Sequence, residues 1–164
     1  MEKFTQKWAV IIPLEKHPDG SEFYYTDFPL HITIAGVFAT TDSGAELEKM
    51  LHLLIKSTRP FEVTADEEAL FGDNKDISVM KISATPELIH LYELIHSELL
   101  KEGAVFNTPH HEGEGYIPHS TYQKSGRLQT GEKVIAKSIS LIDLLPNGDG
   151  LMRKITKTIK FEEV

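Results

Sequence analysis

The chain has 164 residues, 40% hydrophobic and 26% charged, enough apolar material for a sizeable core and too little charge for a disordered chain. It has no cysteine, which excludes disulfides, thiolate metal sites and a cysteine nucleophile. Seventeen Lys and Arg against 25 Asp and Glu give a formal charge of −8, which argues against a broad grip on a nucleic-acid backbone, where cations must be in excess.

Trp8–Leu14 (WAVIIPL) is short, β-branched and cut by Pro13, the pattern of a buried strand. His17–Gly20 (HPDG) carries turn chemistry. Leu30–Phe38 (LHITIAGVF) is the next predicted strand. Ser43 and Glu46 fit a capping box, so a helix starts after Asp42 or Ser43 and runs to about Ser57. Leu47, Met50, Leu51 and Leu54 form its apolar stripe, and Pro60 closes it. Phe61–Ala65 alternates as a strand, whereas Asp66–Glu68 and Gly72–Asp76 have the composition of acidic loops. Ile77–Ser83 is another strand. Thr85 caps a second helix that Pro86 opens and Gly103 ends, with Leu88, Leu91, Tyr92, Ile95 and Leu99 inward. Asn107–Gly115 (NTPHHEGEG) is a polar loop, and Tyr116–Gln123 resumes an extended pattern. Val134–Leu145 and Leu151–Phe161 are the last two strands, and the Asn147-Gly148 pair between them predicts a hairpin. Seven strands and two helices, with strand pairs between the helices, predict an antiparallel α+β fold rather than a doubly wound sheet. No linker or low-complexity stretch divides the chain, so residues 1–164 are expected to form a single domain. The longest aliphatic runs, Ala9–Ile12 and Leu53–Ile55, are too short to span a membrane. Met1–Phe4 lacks the order of a signal peptide, and a cytoplasmic protein is expected.

Two tetrapeptides look alike: His31-Ile32-Thr33-Ile34 and His119-Ser120-Thr121-Tyr122. On a strand, positions i and i+2 share a face, so each presents an imidazole beside a hydroxyl. Eight His and 23 Ser and Thr make about one His-x-Ser/Thr match expected by chance, and two occur. Context separates them from coincidence. Both lie in predicted strands, both follow a proline (Pro29 and Pro118), and one precedes the first helix while the other follows the second. That placement suits two lobes around a central cleft.

With the flanks PLHITIAGVF and YIPHSTY, these paired motifs resemble the 2H phosphoesterases, a group that includes 2′-5′ RNA ligase-like proteins and cyclic nucleotide phosphodiesterases. The resemblance spans nearly the whole chain. It implies two pseudo-symmetric lobes, each an antiparallel sheet with an outer helix, and one motif from each lobe facing a shared groove. It implies His31 and His119 as an acid/base pair acting on a 2′,3′-cyclic or 2′-5′ phosphodiester of a nucleotide or RNA end. Two imidazoles that titrate near neutrality can supply both proton transfers, one as base and one as acid. Thr33 and Thr121 would donate to the non-bridging oxygens, and neither a metal nor another cofactor is expected.

Tyr122 and Lys124 are further candidate substrate contacts, weighed against strand packing for the tyrosine and solvated surface charge for Lys124 and Arg127. His110 is a possible contact from the loop. His110, His111, Glu112, Glu114 and His119 could alternatively hold a metal, giving a metallohydrolase, although adjacent loop histidines seldom converge on one ion. His90 and His96 on the second helix, His52 on the first and His17 in a turn are expected to be exposed. A further alternative is a module that binds nucleotides or RNA ends with little turnover. A monomer is expected. The first hundred residues hold eight basic against 17 acidic side chains and the rest nine against eight, so an anion is cheaper to hold in the second part.

Overall fold

Burial along the strands, continuous over Trp8–Ile12 and alternating from His31 to Ile34, explains how they assemble. The computed structural model describes residues 6–163, so Met1–Phe4 lies outside it. In chain order the elements are β1 (Trp8–Pro13), β2 (Glu22–Tyr24), β3 (His31–Ala39), α1 (Gly44–Leu54), β4 (Phe61–Phe71) and β5 (Ile77–Ile82). They continue as α2 (Pro86–Lys101), β6 (Val105–Phe106), β7 (His119–Thr121), β8 (Lys133–Ala136), β9 (Ser138–Asp143) and β10 (Met152–Lys160). A six-stranded sheet has the order β2-β10-β9-β1-β3-β6, and a four-stranded sheet has the order β7-β5-β4-β8. Every pairing within the sheets is antiparallel. The predicted α+β class with two lobes holds.

One face of each sheet meets the helices. Val10, Ile12, Ile32 and Ile34 from the large sheet join the inner stripes of α1 and α2 in a single buried cluster. Val63, Ala65, Met80 and Ile82 bring the small sheet into the same cluster. The opposite face of the large sheet carries a smaller cluster of Ala9, Ile11, Ile142, Leu144 and Ile155. Residues paired across strands share a face. Pro13 pairs with His31 and Ile11 with Thr33, so the first motif faces away from the helices. On the small sheet, Lys81 pairs with His119 and Val79 with Thr121. The residues inside the motifs, Ile32 and Ser120, point the other way and are buried.

The helix signals act as predicted. Glu46 N donates to Ser43 Oγ at 3.2 Å and Ser43 N to Glu46 Oε1 at 3.2 Å, completing the capping box. Leu88 N donates to Thr85 Oγ1 at 3.4 Å ahead of Pro86 in the first turn.

Four expectations are corrected. Val134–Leu145 is two strands, because the chain leaves the small sheet after Ala136, which pairs with Phe61, and enters the large sheet at Ser138, which pairs with Lys160. Asp66–Glu68 is not a loop but the middle of β4, with an irregular register between Ala65 and Glu68 that leaves the acids in solvent. Of Tyr116–Gln123 only His119–Thr121 joins a ladder as a strand. Strands β2 and β6, three and two residues long, are additional to the predicted elements. The final hairpin forms as expected: β9 pairs with β10, and Asn147 takes the left-handed conformation at φ 56°. That conformation costs an asparagine less than most residues.

Candidate active site

The two motifs are built alike. Each histidine opens its strand, and each ring nitrogen Nδ1 meets the backbone carbonyl two residues upstream: His31 with Pro29 O at 2.7 Å, His119 with Ile117 O at 2.8 Å. A carbonyl can only accept, so Nδ1 carries the hydrogen and Nε2 is left for chemistry. Each ring also packs on a phenylalanine. Phe28 lies 4.1 Å from His31 between ring centroids, and Phe71 lies 4.8 Å from His119. Strands β3 and β7 lie side by side although they belong to different sheets. The second His-x-Thr unit therefore packs against the strand that carries the first, at the seam between the lobes.

Burial sets the protonation of both rings. Desolvation holds His31 far below its ordinary value, at about 4, against the opposing pull of the Pro29 carbonyl. The neighbouring His119 depresses it further, while Glu15 raises it slightly. Burial also lowers His119, opposed by the Ile117 carbonyl and assisted by His111.

A buried aromatic and polar group joins the motifs from behind. The Tyr116 hydroxyl donates to the Thr33 carbonyl at 2.8 Å, so the segment leading into His119 is tied to the strand carrying His31. The Tyr116 ring stacks on Tyr92 of α2 at 3.8 Å, nearly parallel. Tyr92 donates to Glu112 at 3.1 Å and accepts from Gly113 N at 2.6 Å. Burial pushes Tyr92 up to about 12 and raises Tyr116 and Glu112 as well. His96, expected to be exposed, is half-buried against Tyr92 and Phe106, with Nδ1 3.4 Å from Glu112. That nitrogen is not aligned for a hydrogen bond, and burial lowers the His96 pKa, so the pair is a packing contact rather than a charged one. Spacing along the sequence could not signal this role, because Glu112 and Phe106 come from the segment after the helix.

Irregular backbone accompanies the site. Trp8 pairs with Phe38 and Ile11 with Thr33, so three steps along β1 face five along β3. Such bulges re-aim side chains and recur beside functional sites. They bring Gly36 close to Glu112: a Cβ at Gly36 would lie 3.8 Å from Glu112 Oε2.

The other candidates sit at the rim. The Tyr122 hydroxyl donates to Glu68 at 2.9 Å, and its ring lies under the Arg127 guanidinium at 4.0 Å. Arg127 also ion-pairs with Glu68. Lys124 crosses to the other lobe, reaching Asp27 at 2.9 Å and Thr26 at 3.4 Å. His110 and His111 are exposed neighbours with rings 4.1 Å apart. Glu112 turns inward to Tyr92, away from them. Among the described residues, no three of His, Asp and Glu come together as metal ligands would. His17, His52 and His90 are exposed as expected.

The model of the 2′-5′ RNA ligase superfamily matches residues 3–146 of this chain. The chain belongs to that superfamily. A Bacillus anthracis protein provisionally named a phosphoesterase is 27% identical over 99 residues, covering 60% of this chain and 53% of that protein. A Bacillus thuringiensis protein of the same name matches equally. This superfamily member thus spans about half the length of the curated relatives it matches. Its fold is shared by solved structures. One, described as a phosphoesterase, has a TM-score of 0.62 at 17% identity over 96% of this chain and 99% of its own. E. coli LigT, solved with 3′-AMP, has a TM-score of 0.62 at 18% identity over 96% and 99%. A Thermus thermophilus protein has a TM-score of 0.59 at 16% identity over 94% and 97%. Among the described residues, no helix is long and apolar enough to cross a membrane.

Proposed function

We propose that this chain is a metal-independent phosphoesterase that hydrolyses, or reversibly forms, 2′,3′-cyclic or 2′-5′ phosphodiesters of nucleotides or RNA ends. The observation that carries it is the matched geometry of two His-x-Thr units, each with Nδ1 satisfied by a backbone carbonyl and Nε2 free, on adjoining strands of two lobes. Superfamily membership supports the reaction class. LigT has been solved with 3′-AMP, NADP+ and ATP, which supports a nucleotide as the ligand.

His31 is the more deeply depressed of the pair and is neutral at pH 7, so its Nε2 is the base that takes a proton from water. His119 is the acid that protonates the leaving ribose oxygen. Burial opposes charging it, and the phosphate's negative charge offsets that cost when substrate is bound. Thr33 and Thr121 donate to the non-bridging oxygens, where charge grows in the transition state. Lys124 is exposed, and a surface ion pair contributes only about 0–1 kcal/mol, so exchanging Asp27 for a substrate phosphate costs little. Tyr122 offers the edge of a ring already covered by Arg127.

The test is turnover of a panel of 2′,3′-cyclic nucleotides with and without EDTA. EDTA-resistant turnover is expected. Binding without turnover would favour a module that holds nucleotide ends. Turnover abolished by EDTA would favour a metallohydrolase using the 107–119 segment.

A further inference from the structure

A cavity of about 760 Å³ lies not at the His-x-Thr pair but beside it. That volume falls in the range of small-molecule sites. Its floor lies on the sheet face that carries the first motif: Ile11, which pairs with Thr33, lines it, as does Ser140, which pairs with Ile11. Thr158 continues the row, pairing with Ser140 and sharing a 2.7 Å hydroxyl contact with it. With strands about 4.8 Å apart, Thr158 lies three strand spacings, roughly 14 Å, across the face from Thr33. The wall toward the active site is Phe28 and Pro29, the ring and carbonyl that touch His31.

The cavity's chemistry is mixed in a definite way. The floor and near wall are largely apolar, with Ile11, Leu14, Phe28, Ile155 and Phe161 beside the Ser140 and Thr158 hydroxyls. The rim carries Lys16, Lys137 and Lys160, with His17, against Glu15 and Glu163. Glu15 is already engaged, accepting from Leu30 N at 3.2 Å and lying 3.8 Å from His17. Three lysines around one hollow run against the chain's overall charge of −8. A largely apolar floor with two hydroxyls under a cationic rim is complementary to a nucleoside joined to a phosphate.

We propose that this cavity binds the nucleotide that precedes the terminal one, upstream of the nucleoside that bears the reacting phosphate, so that the substrate is an oligonucleotide end rather than a mononucleotide. This rests on the function proposed above and adds a subsite to it. The base and ribose occupy the floor, and Lys16, Lys137 and Lys160 hold the phosphodiester. The lysines touch neither histidine motif, so they govern substrate length and not the chemical step.

The experiment compares kcat/KM for adenosine 2′,3′-cyclic phosphate with that for the ApA dinucleotide ending in a 2′,3′-cyclic phosphate. It uses the full chain and a Lys16→Gln, Lys137→Gln, Lys160→Gln variant. In the unmodified protein the dinucleotide is expected to be favoured at least tenfold. In the variant that preference disappears, while the mononucleotide rate stays unchanged. Equal kcat/KM for the two substrates in the unmodified protein, or a preference that survives the triple substitution, overturns the subsite. Absence of turnover with both substrates overturns the enzymatic function instead. The subsite is then decided by calorimetric titration with the ApA 3′-phosphate: loss of affinity in the triple variant supports it, and unchanged affinity overturns it.

Discussion

Acidification from pH 7.5 to 5.0 should destabilise the native state, with His31 as the main contributor. Its imidazole sits at about 4 in the folded protein, against 6.5 in the unfolded chain. Between those values the unfolded chain binds a proton that the native state refuses, so stability rises with pH. His31 therefore contributes stability that is complete above its unfolded value and is lost as pH falls toward 4. At pH 5.0 about 1.5 pH units of that window have been crossed, and at 1.36 kcal/mol per unit the loss is about 2 kcal/mol. Burial lowers His119 and His96 too, which adds to the loss, while the raised Glu112 and Glu102 act in the opposite direction. A comparison with His31→Gln removes those shared contributions, and the glutamine amide can still donate to the Pro29 carbonyl. Urea unfolding at both pH values should show the unmodified protein losing about 2 kcal/mol more than the variant. Losses equal within about 0.5 kcal/mol would mean that burial does not hold His31 neutral, and the assignment of His31 as base would lose its support.

Thr33→Val and Thr121→Val keep the β-branched shape and delete the hydroxyl. Each should lower kcat on a cyclic nucleotide about 10²–10³-fold with folding intact, and full kcat in both would remove the threonines from the mechanism. Tyr116→Phe breaks the tie to the Thr33 carbonyl; about 1 kcal/mol of stability should be lost in urea unfolding, with a fall in kcat larger than any change in KM. A variant that loses stability alone would make Tyr116 merely structural. Leu91→Ala empties a fully buried position under both sheets and should cost about 2–5 kcal/mol, and a cost below about 1 kcal/mol would contradict the packing of α2.

The helices and the motif strands could be read from the sequence because their signals are local. The Ser43 capping box, the Thr85-Pro86 start and the β-branched run around His31 each need only a few neighbouring residues. What was missed depends on partners far away in the chain. Nothing in Val134–Leu145 marks Lys137 as the point where one strand ends and another begins, because each half keeps an extended pattern and only the partner strand changes. Asp66–Glu68 has loop composition, yet an edge open to solvent accepts acids within a strand. The His-x-Thr spacing singles out the candidate pair only together with its context, two predicted strands, each after a proline, on either side of the helices. The surroundings of His96 and the tie from Tyr116 to Thr33 were invisible, since they join a helix, a loop and a strand that meet only after folding.

In the proposed mechanism two histidines from two lobes share one phosphate. The direct test is hydrolysis of adenosine 2′,3′-cyclic phosphate, in EDTA, by the unmodified protein, His31→Ala, His119→Ala and the double variant. Residues that act as a unit are non-additive, so each single substitution should abolish nearly all turnover and the double should be little worse than either. Full turnover in either single variant would contradict a shared site.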